Sequence, residues 1–305
     1  MDAELPQHYR SILRDFRKSV ASYVSFNILF TSLILLESVL FVFCLPWLSH
    51  SAVIAIALGG LFLTCFSYCV LLFYLQAKKP EQFLFLRDQF SQSYRQLSPY
   101  PLSLAEALSK LAHHLNGFEK NFYHVPPSLK LLSGPISRFS TTCYGADVLK
   151  MKLLLLQAAV SEHLKQIRLT PTDLEAHASL AGTYLALSQI YREKAIEDKF
   201  QRTAQLAMEE LRILCHYAPN DPWAHEQLAA GYRSLGKAAE ELKEIETLLK
   251  LRPNDKEVLF RLGTLYFEQG ENAKGLQIYE DLKRGNFKKA DDLIEFYGIF
   301  SQKNS

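Results

Sequence analysis

Glu37 is the residue whose type and setting most invite chemistry. It is the one formally charged side chain between Tyr23 and Trp47, in an otherwise apolar run. A charged carboxyl at bilayer depth costs roughly 3 kcal/mol or more, so the group is expected to be neutral or partnered. Counted outward from the centre of the apolar block, Glu37 comes level with Gly60 to Thr64. Thr64 or a backbone carbonyl is the expected hydrogen-bond partner, and Ala55-x-x-x-Gly59 offers a small-residue stripe for close helix approach. Ion or proton conduction is a weaker expectation, because two helices supply little other intramembrane polarity. Contacts between copies of the chain, a homo-oligomer, are the remaining use.

Elsewhere the chemistry-bearing residues form no site. His113 and His114 are adjacent, with His124 nearby. Neighbours on a helix point about 100° apart, and no Cys, Asp or Glu pattern completes a metal site. The cysteines (Cys44, Cys65, Cys69, Cys143, Cys215) include no CxxC pair, and three lie in the apolar block, where a thiol acts as a small hydrophobe. An odd count implies no disulfide framework and suits a reducing compartment. Cys143 has no histidine fixed beside it. No phosphate loop, dinucleotide glycine pattern, G-x-S-x-G or HExxH occurs, so neither an enzyme nor a cofactor is expected. A formal net charge of +2 gives no footprint for nucleic acid.

Mean hydropathy is near zero only because a very apolar block and a charged block average out. Tyr23–Trp47 and Ala52–Leu75 each hold about 24 residues, roughly 36 Å of helix, enough to cross a hydrocarbon core of about 30 Å. Pro46 and the polar Ser49-His50-Ser51 mark a hairpin between them. Ser49-His50-Ser51 before Ala52 looks like a signal cleavage site, but the apolar run is too long for one and some twenty residues precede it. Arg10, Arg14, Arg17 and Lys18 flank the first run, and Lys78, Lys79 and Arg87 follow the second. The basic flanks place both termini on the cytoplasmic side.

After the block, Phe83, Leu86, Phe90 and Tyr94 recur at helical spacing over 81–99, and Leu104, Leu108, Leu111 and Leu115 do so over 104–115. Residues 124–146 carry Pro126-Pro127, Gly134-Pro135 and Gly145 with few periodic apolars, the pattern of a long loop. A helix is expected from Val148 to Thr170. The expected division is a cytoplasmic segment 1–22, a hairpin 23–77, a helical linker 78–146 and a repeat domain 147–305.

The repeats emerge at a period of 34 residues, with 222–255 laid against 256–289. Position 7 holds Leu228 and Leu262, position 8 Ala229 and Gly263, position 11 Tyr232 and Tyr266. Position 15 holds Gly236 and Gly270, position 24 Ile245 and Tyr279, position 27 Leu248 and Leu282. A small residue at 8 lets two helices approach, and glycine at 15 supports a turn with φ > 0. A third copy upstream matches Leu180, Ala181 and Tyr184, then Ala207, Leu211 and Leu214, with 14 extra residues between. Seven added to each helix is nearly two turns and keeps the inward face, so two lengthened helices are expected rather than a loose loop. Position 20 differs between the two copies, with Glu241 in the middle one and Gly275 in the last. After Asn286, Ala290, Leu293, Ile294 and Tyr297 suit a terminal capping helix.

The spacing and residue types over 174–289 resemble the tetratricopeptide (TPR) repeat. The resemblance implies an all-α fold: two transmembrane helices, then a helical domain ending in a short TPR-like α-solenoid. It also implies a peptide-holding groove on the first helix of each pair. The groove positions are Gln227, Ala230, Arg233 and Ser234 in the middle copy, and Phe260, Arg261, Thr264, Phe267 and Glu268 in the last. The Lys and Asn of the family's carboxylate-clamp variants are absent from these positions. The expected function is a membrane-anchored scaffold that binds a protein or peptide on the cytosolic side, with the bilayer held by 23–77. An alternative is a secreted inclusion-membrane-type protein of an intracellular bacterium, displayed from a host vacuole membrane with the same topology.

Overall fold

The computed structural model describes residues 7–44, 51–120, 122 and 133–298, with the side chains of 51 and 52 excepted. The hairpin turn at Pro46 to His50, together with His124 and Pro126-Pro127, lies outside them. Every described element is a helix. The chain forms two compact units, divided between Glu162 and His163.

The first unit is built on two long antiparallel helices, α1 (Gln7–Cys44) and α2 (Ser51–Leu97). Their distal halves are apolar and uncovered: none of the most apolar stretch of either helix is buried, and Phe43 and Ile56 are each about three-quarters exposed. Across this region Thr64 donates to Glu37 (3.1 Å) and Tyr68 donates to Asn27 (3.2 Å). The proximal halves behave differently. Tyr9, Ile12, Phe16, Val20, Tyr23 and Val24 are buried at helical spacing, against Phe83, Leu86 and Phe90 of α2. Phe16 meets Phe83 and Tyr9 meets Phe90, each pair of rings 5.4 Å apart. Ser19 and Tyr23 both donate to Gln82 at 2.8 Å. The short α3 (Pro101–His114) adds Leu104, Leu108 and Leu111, all buried.

From Gln7 the basic segment ahead of the apolar run is helix, and Tyr9 to Val20 supply core residues. The expected loop over 124–146 is helical from Ser133, where α4 (Ser133–Leu169) begins. Pro135 sits in the first turn, where a missing N–H breaks no helical hydrogen bond, and Gly145 is simply a helix residue. Pro80 lies inside α2, which runs on without a break through the helical spacing read over 81–99.

The second unit, from His163 within α4, is a row of helix pairs: α5 (Leu174–Glu193) with α6 (Glu197–Tyr217), α7 (Pro222–Ser234) with α8 (Ala238–Leu251), and α9 (Lys256–Glu268) with α10 (Asn272–Arg284). Each helix packs mainly on its neighbours in sequence, which is the contact pattern of a solenoid. The same devices recur in each pair. Asp173, Asp221 and Asp255 cap α5, α7 and α9 by accepting from backbone N–H groups of the first turn. Gly236 and Gly270 turn the chain at φ +68° and +82°. The first pair is lengthened by seven residues in each helix relative to α7 and α8. Its tip turns on Ala195 at φ +54° and buries Ile190, Tyr191 and Phe200 within itself.

Two apolar clusters run along the row. Ala181, Met208, Leu211, Leu228 and Tyr232 join α5, α6 and α7. Ile245, Leu248, Leu262, Leu265, Phe267, Ile278, Leu282 and Leu293 join the rest. A Cβ on Gly263 would stand 3.0 Å from Ile278 and 2.8 Å from Leu293, so this small residue is required by both α10 and the end cap. The cap is shorter than expected. It is a single turn, α11 (Ala290–Leu293), followed by a 3-10 turn Ile294–Phe296. Ala290 and Leu293 are buried, while Ile294 and Tyr297 are substantially exposed.

Candidate protein-binding face

The expected groove residues divide into open and closed positions. On α7, Ala230 and Arg233 are exposed and Gln227 is half-buried. On α9, Thr264 and Phe267 are buried, at 2% and 0% exposure. Thr264 donates to the carbonyl of Phe260 (3.1 Å), and Phe260 itself leans on Phe287 (ring centroids 6.0 Å). Phe267 lies over Gly275, where a Cβ would fall 2.6 Å from the ring Cδ1, and Tyr297 meets its edge. Phe267 and Thr264 are therefore core, and α9 offers a partner far less than its sequence implies. The open stripe lies on α5 and α7 instead. Gly182, Ala186 and Gln189 are exposed at helical spacing on α5, and Trp223, Glu226 and Ala230 on α7. Trp223 stands at the second position of its repeat, a groove position whose occupant was not singled out.

The two groove arginines have a partner within the chain. Glu241 is 1% exposed, and it accepts from Arg233 Nε (2.8 Å) and from Arg261 Nε and Nη2 (2.7 and 2.8 Å). Burial pushes this carboxyl up, but hydrogen bonds from Arg261 and then Arg233 more than reverse it, leaving it below its ordinary value. Arg261 also reaches Glu268 (3.5 Å). The departure at position 20 thus has a compensating change at position 12. The last copy pairs Phe267 with Gly275, a ring over a glycine, and the middle copy pairs Arg233 with Glu241.

A second recurring polar device was not visible as a motif. His177 Nδ1 faces Glu210 Oε2 at 2.5 Å and its Nε2 faces the carbonyl of Pro171 at 3.0 Å. His225 repeats this, with Glu244 at 2.7 Å and the carbonyl of Pro219 at 3.0 Å. Both histidines occupy position 4 of their copies and both glutamates position 23. Only this shared spacing marks the device in the sequence.

Cys215 and Cys143 are held as thiols. Cys215 lies 3.8 Å from His225 Nδ1, but burial, then the charges of Glu244 and Asp221, push its thiol up to about 11. Burial raises Cys143 as well. At neutral pH neither holds an appreciable thiolate. Among the described residues no group of His, Cys, Asp and Glu is arranged to hold a metal ion. In the first unit, Glu37 borders a cleft of about 380 Å³ with Leu40, Phe41, Val53 and Gly60, and its Oε2 has no hydrogen-bond partner.

No family model and no curated protein matches the sequence. Among solved structures the chain is similar to MamA MSR-1, at 18% identity and TM-score 0.35, over 67% of this chain and 97% of that one. It is similar also to TTC0263, a thermophilic TPR protein in Thermus thermophilus, at 18% identity and TM-score 0.34, over 71% and 96%. Superposition at this level adds nothing to the helix pairs, caps and turn glycines described above, which by themselves make the second unit an all-α, TPR-like solenoid.

Proposed function

We propose that the chain is a membrane-anchored scaffold, in which the distal halves of α1 and α2 span a bilayer and the solenoid holds a protein or peptide partner on the cytosolic side. The observation that carries the anchor is the pair of adjacent helices whose outward apolar side chains are uncovered. In water such a surface far exceeds what a soluble monomer exposes. The basic residues at Arg10 to Lys18 and at Lys78 to Arg87 support both termini on one side. Support for partner binding comes from the exposed stripe on α5 and α7, where Trp223 and Arg233 are of the types that anchor interfaces.

The two halves of the reading are tested separately. The full-length protein should resist alkaline carbonate and need detergent for extraction, and complete release by carbonate overturns the anchor. Ala230→Arg, at an exposed helical position, should abolish capture of a cytosolic partner with the melting temperature unchanged. Trp223→Ala should weaken the same capture by about 2 kcal/mol, roughly thirty-fold. A partner retained by both variants places binding elsewhere.

A further inference from the structure

We infer that His177 is a proton-dependent latch: it is held with both ring nitrogens protonated, and so bonds the first helix of its repeat to the second helix and to the loop before it, in a geometry that His225 repeats. The geometry requires two donors. A carbonyl and a carboxylate both accept, and a neutral imidazole has only one N–H, so one of its nitrogens would set a lone pair against an acceptor. His177 and His225 are 5% and 8% exposed, which leaves little room for water to bridge the mismatch. The latch joins three successive segments, Pro171, α5 and α6, and the bonds of His225 join Pro219, α7 and α8 in the next copy. The same helices, α5 and α7, carry the open stripe.

The surroundings agree with this. Glu210 faces His177 from α6, Asp173 adds its charge from the N-cap, and Tyr184 lies within reach of the Glu210 charge. Glu244 faces His225 from α8, and Cys215 from α6 stands beside it, itself flanked by Glu244 and Asp221. Every charged neighbour named is acidic. Burial alone lowers the basicity of His177, but its hydrogen bonds to Glu210 and Pro171 and the charges of Glu210 and Asp173 raise it above 6.5. A folded-state value above the unfolded one means that the latch contributes fully below about pH 6.5 and is lost as pH rises through the folded value. Alkalinity, not acid, opens it.

The test uses the full chain in detergent with nitrogen-15 histidine. At pH 7 the ring shifts of His177, assigned by a His177→Gln variant, should show two protonated nitrogens. The melting temperature should then fall as pH is raised from 6.5 towards 9. In Glu210→Gln the alkaline fall should begin lower by roughly one pH unit. A neutral His177 ring in the parent at pH 7 overturns the inference. So does a Glu210→Gln variant whose pH profile matches the parent's. The ring measurement on the parent stands even where the variant does not fold.

Discussion

At the scale of single residues, the two groove arginines show how placement changes meaning. Arg261 is mostly buried and makes two charge-assisted hydrogen bonds to Glu241, while the side chain of Arg233 is 51% exposed and contributes one. Arg261→Ala should cost about 3 kcal/mol in a denaturant melt, because it strips most of the compensation from a buried carboxylate. Arg233→Ala should cost about 1 kcal/mol or less. Equal costs would mean that the clamp does not hold Glu241 as described. Arg261 is thus a poor place to test binding, since loss of a partner there would report lost packing. None of this could be read from spacing. A carboxylate at a normally small position looks like a slipped register until the helix that supplies its arginine is in place beside it. His163 is a further case of burial setting a residue's charge. Burial holds this imidazole down to about 4, the reverse of His177. It contributes stability above about pH 6.5 that is lost as pH falls towards 4, so the solenoid should be most stable near neutrality.

At the scale of elements, the solenoid was largely legible because its determinants are local and repeat. Leucine, small residue, aromatic and glycine recur at fixed offsets, and each acts within its own helix pair. The lengthened first pair followed from arithmetic, since seven residues close nearly two turns. The sharpest consequence is at Gly275, which the ring of Phe267 covers. Gly275→Ala should destabilise by about 1–3 kcal/mol in a thermal melt, although alanine is the better helix former by about 1 kcal/mol. A stabilised variant would show that the ring can move aside. Gly263→Leu should cost more, having to displace both Ile278 and Leu293. What escaped the sequence was the amphipathic half of α1. Tyr9, Ile12, Phe16 and Val20 do recur at helical spacing, but Arg10, Arg14, Arg17 and Lys18 between them read first as a basic flank. The start of α4 escaped for the opposite reason, because Gly134-Pro135 signals a break in general and is harmless in a first turn.

At the scale of the whole molecule, the burial of the proximal half of α1 bears on where the chain can be cut. A fragment starting at 78 removes α1 and uncovers Phe83, Leu86 and Phe90, each worth about 1.5–3 kcal/mol of burial. It should aggregate or lose helicity in size-exclusion and circular dichroism experiments. The fragment 163–305 should be monomeric and melt cooperatively. A monodisperse, sharply melting 78–305 would show that the proximal half of α1 is dispensable.

The unbroken run of α1 from Gln7 to Cys44 has a mechanical consequence. No loop separates its apolar half from the half that packs on Phe83 and Phe90, so for the spanning hairpin proposed above it is a lever and not a leash. A hydrophobic stretch that exceeds the local bilayer thickness tilts to fit. The same rotation must reach Tyr9, about 22 Å beyond Val24 along the helix axis. Membrane thickness would then set the pitch of the proximal bundle, and a thicker or thinner bilayer would be felt there as a change of angle with no change of fold.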